Sequence, residues 1–145
     1  MKISTKGRYA IRMMLDLAMH GNEGYVALKD IAKRQDISKK YLEQIVPMLN
    51  KTDFLKTNRG YMGGYMLSRA PSKYTIGDIL RVTEGSLAPV PCAEQSPIDC
   101  PRSADCTTLP LWKGLYRVIS EYLDSITLQD LLDKSSEMYS NDYII

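Results

Sequence analysis

The chain is poor in several things at once. Among its 145 residues are one histidine, one tryptophan, one phenylalanine and three cysteines, and its uninterrupted apolar runs extend only a few residues. A bilayer crossing needs about 20 consecutive apolar residues, so a membrane-spanning helix is excluded. The opening MKISTKGRYAIRMM lacks an apolar stretch followed by a small-residue cleavage site, so no secretory signal is expected. Without one, an odd number of cysteines makes a disulfide framework a poor reading. No internal repeat or low-complexity tract is present. Hydrophobic residues at 44% and charged residues at 25% fit neither a disordered tail nor a fibrous repeat. The length allows one ordinary domain, or a small one with an appendage.

The charge is unevenly spread. Residues 1–85 hold 15 Lys and Arg against 8 Asp and Glu, a net of +7. Residues 86–145 hold 4 against 9, a net of −5, leaving +2 for the chain. A basic first part joined to an acidic second part points to a polyanion meeting one half and something else meeting the other.

Local signals divide the chain into elements. Ser4 and Thr5 can cap a helix from about Gly7 to Met19, with Ile11, Met14, Leu15 and Ala18 at helical spacing. A short helix, 27–34, leads through the turn Gln35-Asp36-Ile37 to a third, 39–50, with Ser38 at its N-cap. Pro47 predicts a bend in that helix rather than its end. Two strand-like runs, Phe54 to Thr57 and Tyr65 to Leu67, flank a glycine-rich tip and read as a hairpin. Thr75 caps a helix to about Glu84, with Asp78 at the reciprocal position of a capping box. Residues 86–109 show no periodicity and contain four prolines and all three cysteines, which makes them a long loop that is functional or disordered. Pro110 opens a long helix, 110–124, with Leu111, Leu115, Val118, Ile119, Tyr122 and Leu123 on one broad stripe. Thr127 caps a last short helix, 128–134, and 135–145 reads as a flexible tail.

A short helix, a tight turn and a second helix form a helix-turn-helix, and the hairpin after it adds a wing. The expected fold is therefore mainly α with a small β-hairpin wing: a winged helix-turn-helix over 1–85, followed by the cysteine loop 86–109 and a helical region 110–134. The polar side of helix 39–50 carries Lys39, Lys40, Glu43 and Gln44 in its first turns. In a major groove, Gln can pair with adenine, Glu can accept from cytosine, and Lys can reach phosphate or guanine. Arg59, beside the glycines of the wing, suits a minor groove. Tyr41 is either a base or sugar contact or a packed surface tyrosine. His20, at the end of the first helix, reads as a cap favoured by the helix dipole rather than as a ligand.

Cys92, Cys100 and Cys106 are separated by seven and five residues, unlike the paired spacing of a zinc ribbon or a ferredoxin run. Their concentration in one irregular loop is the stronger signal, because buried structural cysteines are scattered on apolar faces. Three thiolates on a flexible loop can wrap a soft metal centre, either an iron–sulfur cluster or zinc. The alternatives are a redox pair with a spare thiol, or unconnected cysteines. A small thiol oxidoreductase is disfavoured, since neither a histidine nor a CxxC lies near to activate a thiol.

KISTKGRYAIRMMLDLA, ISKKYLEQIVPML, NRGYMGGYML, YTIGDILRVTEG, the three-cysteine loop and LWKGLYRVISEYLDSITLQDLL together resemble Rrf-type winged-helix transcriptional regulators over residues 1 to about 134. The resemblance implies a bacterial cytoplasmic homodimer whose long helix crosses its counterpart and whose recognition helices meet a palindromic operator. It implies DNA-contacting roles for Tyr41, Glu43, Gln44 and Arg59. Cys92, Cys100 and Cys106 correspond to the cluster ligands of the iron–sulfur members, with a [2Fe–2S] cluster implied by similarity to IscR-like proteins, which control iron–sulfur biogenesis genes. Two features depart from that pattern. The first cysteine interval is longer than usual, and Leu109 and Arg8 stand where IscR-like and NsrR-like members place their fourth ligand. Glu94, Asp99, Asp105, a partner-chain group, water or a small thiol remain open for that role. The family also contains nitric-oxide- or redox-sensing NsrR-like repressors and cluster-free CymR-like repressors of cysteine metabolism that respond to a protein partner.

Overall fold

The computed structural model describes residues 2–142. Six helices and one hairpin follow in the order α1 (Thr5–Met19), α2 (Leu28–Gln35), α3 (Lys39–Lys51), β1 (Leu55–Asn58), β2 (Gly64–Leu67), α4 (Ile76–Glu84), α5 (Leu109–Ser125) and α6 (Leu128–Asn141). Short 3₁₀ turns lie at Gly21–Glu23, Pro71–Lys73 and Pro91–Ala93. This is the expected winged helix-turn-helix with a long helix behind it.

Helix starts are set locally. The Ser4, Ser38, Thr75 and Thr127 hydroxyls accept from the backbone amides of Gly7, Tyr41, Asp78 and Asp130. Asp78 and Asp130 return the bond to their caps, completing two capping boxes. Between α2 and α3 the chain turns at Asp36, which takes φ +51°, and the buried Ile37 donates its amide to Ala32 O. Pro47 does not end α3, which runs on to Lys51.

One core joins these pieces. Ala10, Met13, Met14 and Leu17 of α1 meet Leu28 and Ile31 of α2, Leu42, Ile45 and Leu49 of α3, and Ile79 and Leu80 of α4. Leu128 of α6 is fully buried in the same core, and its amide donates to Tyr74 O. Asp16 of α1, 1% exposed, is the charged group of this interior. Its carboxylate accepts two bonds from the Arg34 guanidinium (2.7 and 3.0 Å) and one from Gln35 (3.0 Å), tying α1 to the end of α2. The Asp16 hydrogen bond keeps the Arg34 guanidinium above its ordinary pKa. His20 caps α1 as expected, with Nδ1 2.9 Å from Asp16 O.

Two features differ from the sequence reading. The last helix extends to Asn141 rather than to 134, because no glycine or proline interrupts it and the Ser136 and Ser140 hydroxyls bond carbonyls four residues back. The predicted tail's residues 143–145 lie outside the described residues. The broad stripe on α5 splits in two. Leu123 packs toward the core beside Tyr116, a residue outside the predicted stripe, whereas Leu111, Leu115, Val118 and Tyr122 are exposed and α5 has no buried residue.

Candidate functional site

The turn of the helix-turn-helix and the hairpin are built to stand beside each other. β1 and β2 pair antiparallel from Leu55 opposite Leu67 to Asn58 opposite Gly64. Val26, just before α2, extends this pairing: Val26 and Tyr65 exchange both backbone bonds, at 2.8 and 2.9 Å. A Cβ on Gly64 would lie 2.2 Å from Val26 O, so glycine is what lets the hairpin dock so close. Thr57 donates to Asn50 Oδ1 at 3.3 Å, joining the strand to the end of α3.

This docking leaves a cleft between α3 and the hairpin, lined among others by Lys29, Lys39, Asn50, Thr57, Asn58 and Arg59, and free of acidic lining residues. It brings together Lys39 and Arg59, two of the residues singled out in the sequence. Lys40, Glu43 and Gln44 lie on the exposed face of α3, opposite Leu42, Ile45, Val46 and Leu49. Lys39 and Glu43 form an exposed pair at 3.6 Å. Tyr41 is half-buried: its ring packs edge-on against Tyr9 of α1 with centroids 5.3 Å apart. Arg12 lies over the other partner of that pair, 5.3 Å from the Tyr9 ring, and also bonds the Gln35 carbonyl.

Sequence reasoning missed Lys29, Asn50 and the Tyr9–Arg12 support. Lys29 had a readable signal, since it sits on the polar side of α2 beside the buried Leu28. The others depend on which helices touch.

The three thiols behave differently from the reading of a wrapped centre. Cys92, Cys100 and Cys106 are all free, and they lie on loop 86–109 between α4 and α5. Cys100 and Cys106 line one shallow depression with Arg102, Asp105, Thr107 and Thr108, but Cys92 does not. Among the described residues no three His, Cys, Asp or Glu side chains come together as a metal-holding group. The donor chemistry suits a sulfur-ligated centre, but the loop's conformation does not bring the donors together. Hydrogen bonds from the Thr108 side chain and backbone, helped by the Leu109 amide and the Arg102 charge, pull the Cys106 thiol below its ordinary pKa.

Two contacts connect this loop's flanks to the rest. At the end of α4, Glu84 Oε1 accepts from the Ser4 amide (2.9 Å) and hydroxyl (2.7 Å) at the start of α1. Earlier in α4, Arg81 donates two hydrogen bonds to the Asp124 carboxylate of α5. No helix of the described residues is long and apolar enough to cross a membrane.

Residues 3–134 match the sequence model of Rrf2, described as an iron-dependent transcriptional regulator. The chain is 41% identical over 136 residues to the protein rrf2 of Nitratidesulfovibrio vulgaris, covering 94% of this chain and 90% of that one. Its fold superposes on CymR, the global cysteine regulator of B. subtilis, with a TM-score of 0.76 at 40% identity, over 92% of this chain and 98% of that one. It superposes on T. potens IscR with a TM-score of 0.75, again at 40% identity, over 95% and 90% of the two chains.

Proposed function

The chain belongs to the Rrf2 family of transcriptional regulators, and from that membership we propose that it binds a palindromic operator as a cytoplasmic homodimer and senses its signal through loop 86–109. Like its relatives it is a regulator and not an enzyme. The observation that carries the reading is the acid-free cleft in which Lys39, at the first turn of α3, faces Arg59 on the hairpin. A duplex held there presents phosphate to the lysines and a groove to each projection. Glu43 and Gln44, exposed on α3, read base edges in the major groove; Lys39 and Lys40 position the backbone; Tyr41 supports the helix from Tyr9 and offers its edge to sugar; Arg59 enters the minor groove.

The second copy covers the exposed face of α5. Leu111, Leu115, Val118 and Tyr122 recur at intervals of four, three and four residues, the spacing of a helix–helix seam. Such a pairing sets the separation of the two recognition helices.

For the sensing step, Cys92, Cys100 and Cys106 would hold an iron–sulfur cluster, [2Fe–2S] by the similarity to IscR, which supplies redox and iron-dependent chemistry when bound. Confinement of every cysteine to this loop supports it. Asp105, which shares the depression of Cys100 and Cys106, is the acid best placed to add a ligand. Control of iron–sulfur biogenesis genes follows from that reading. A change of loop conformation pulls on α4, and through Glu84 and Ser4 on α1, whose Tyr9 supports Tyr41. A coupling of about 1–3 kcal/mol gives a 5–150-fold switch in operator affinity.

That the three thiols do not gather as one metal-holding group among the described residues favours a second reading, a cluster-free repressor that responds to thiol oxidation or to a protein partner docked on the acidic half, with cysteine metabolism as its field. An anaerobic visible spectrum with iron and sulfide assays, on the wild type and on the Cys92→Ala/Cys100→Ala/Cys106→Ala variant, decides between them. Colour lost in the variant supports the cluster. A colourless wild type that still retards operator DNA supports the second reading.

A further inference from the structure

The hairpin tip carries two side chains that the proposed DNA contacts leave unused. Tyr61 is 98% exposed and Met62 is 81% exposed, the two most exposed of the large hydrophobic residues in the described chain. They are the central residues of a turn closed by the Gly63 amide to Gly60 O, at 3.0 Å. Met62 takes φ +65°, a left-handed conformation that glycine or asparagine adopts with ease and methionine does not. Gly60 takes a positive φ of +118° in the same tip, as glycine does readily, and yet position 62, also at positive φ, holds a long apolar side chain. Backbone strain retained at a projecting tip is a pointer to what the tip does.

We propose that Tyr61 and Met62 form an apolar wedge that enters a base step of the minor groove beside Arg59 and kinks the operator. The inference rests on the DNA-binding reading and deepens it. Arg59 immediately precedes the turn, so a guanidinium in the groove brings the tip to the floor of the same groove. Lys29 and Lys39 line the acid-free cleft on one side of the hairpin, whereas the surface on its other side, lined by Tyr61 and Met62, sets Glu23 and Asp30 against Lys29 and Arg34. Charge therefore draws the duplex to the Lys39 side, with the wedge at its edge. Two side chains on a turn offer far less than the roughly 800 Å² each partner gives to a stable protein interface, so a protein groove is the weaker occupant. Apolar wedges in minor grooves part stacked bases and kink the duplex by roughly 20–90°, and an aromatic ring can stack on a base of any sequence.

The experiment uses a duplex recovered from randomised oligonucleotides by selection against the wild-type protein, labelled at both ends with a fluorescence-transfer pair. Binding of the wild type should shorten the end-to-end distance. The Tyr61→Ser/Met62→Gly variant should still bind, about tenfold more weakly, and leave the duplex near its free length. Met62→Gly alone should reduce the bend while holding or raising the melting temperature, because glycine relieves the left-handed residue; a purely structural role for Met62 predicts no change in the bend. An equal bend with wild type and double variant, or a straight duplex with both, overturns the wedge and leaves the DNA-binding reading standing. Failure of the wild type to select any duplex overturns both.

Discussion

Arg81 of α4 and Asp124 of α5 meet through two parallel hydrogen bonds, Nη1 to Oδ1 at 2.7 Å and Nη2 to Oδ2 at 2.9 Å, across 43 residues of sequence. Gly77 makes room for it: a Cβ there would fall 2.0 Å from Asp124 Oδ1. The clamp joins the helix behind the wing to the helix with the uncovered apolar seam. Both side chains are about one-third exposed or more, so its contribution to stability is small, about 0.5–1 kcal/mol. A cycle of Arg81→Ala, Asp124→Ala and the double variant, followed by urea unfolding, should return a coupling of that size that shrinks in high salt. A coupling near zero would mean the two helices are held by packing alone.

Asp16 presents the opposite case. Its carboxylate is buried and Arg34 and Gln35 hold both oxygens. Arg34→Ala leaves that charge enclosed with one partner gone, and should cost about 2–3 kcal/mol, below the full value for a wholly buried pair because the arginine side is partly in water. Arg34→Ala combined with Asp16→Asn should recover much of the loss. The unfolding midpoints of the two variants provide the comparison.

Cys106 should be the fastest thiol to alkylate. Its depressed pKa gives it more thiolate at neutral pH than an ordinary cysteine has. Iodoacetamide labelling mapped by mass spectrometry should show Cys106 modified ahead of Cys92 and Cys100, and Thr108→Val should slow it by removing the hydroxyl bond. As pH rises above the ordinary thiol pKa the advantage should vanish, because an ordinary thiol is then ionised as well. Equal rates at all three sites would count against the acidified thiol.

Asp130 caps α6 through the Thr127 amide and hydroxyl, and those bonds hold its carboxyl below the usual range. A carboxylate depressed in the folded state adds stability above its unfolded pKa and loses it as pH falls through the folded one. Helicity of the wild type should therefore decline at acid pH more than that of Asp130→Asn, which should start lower and change less.

Gln44→Ala should relax base choice at one operator position, costing about 1–3 kcal/mol there, whereas Arg59→Ala should weaken all sequences more evenly and flatten the salt dependence by about one unit. Selection from random duplexes and titration across salt concentrations separate the two. Unchanged affinity in both variants would remove α3 and the hairpin from the interface.

The parts of the fold that were legible in the sequence are the local ones. Ser38, Thr75 with Asp78 and Thr127 announce helix starts because a cap needs only its own next three residues. The hairpin was readable from its glycines. The division of the α5 stripe was not, because period alone cannot say that Tyr116 and Leu123 face this chain's core while Leu115 and Val118 do not. The failure of Cys92, Cys100 and Cys106 to gather as one group was equally hidden: a segment without periodicity carries no information about where its side chains point. Asn50 and the Tyr9–Arg12 support escaped because their importance comes from which helices touch.

Leu128 gives the chain a timetable. The core that α1 to α4 form is open at one point until this residue arrives from α6 and its amide closes on Tyr74. At about 5–20 residues per second, a ribosome needs some 6–24 s to pass from Ala10 of α1 to Leu128. Until then α1 has its apolar side uncovered where α6 will lie, and a chain halted early lacks a core residue rather than an accessory.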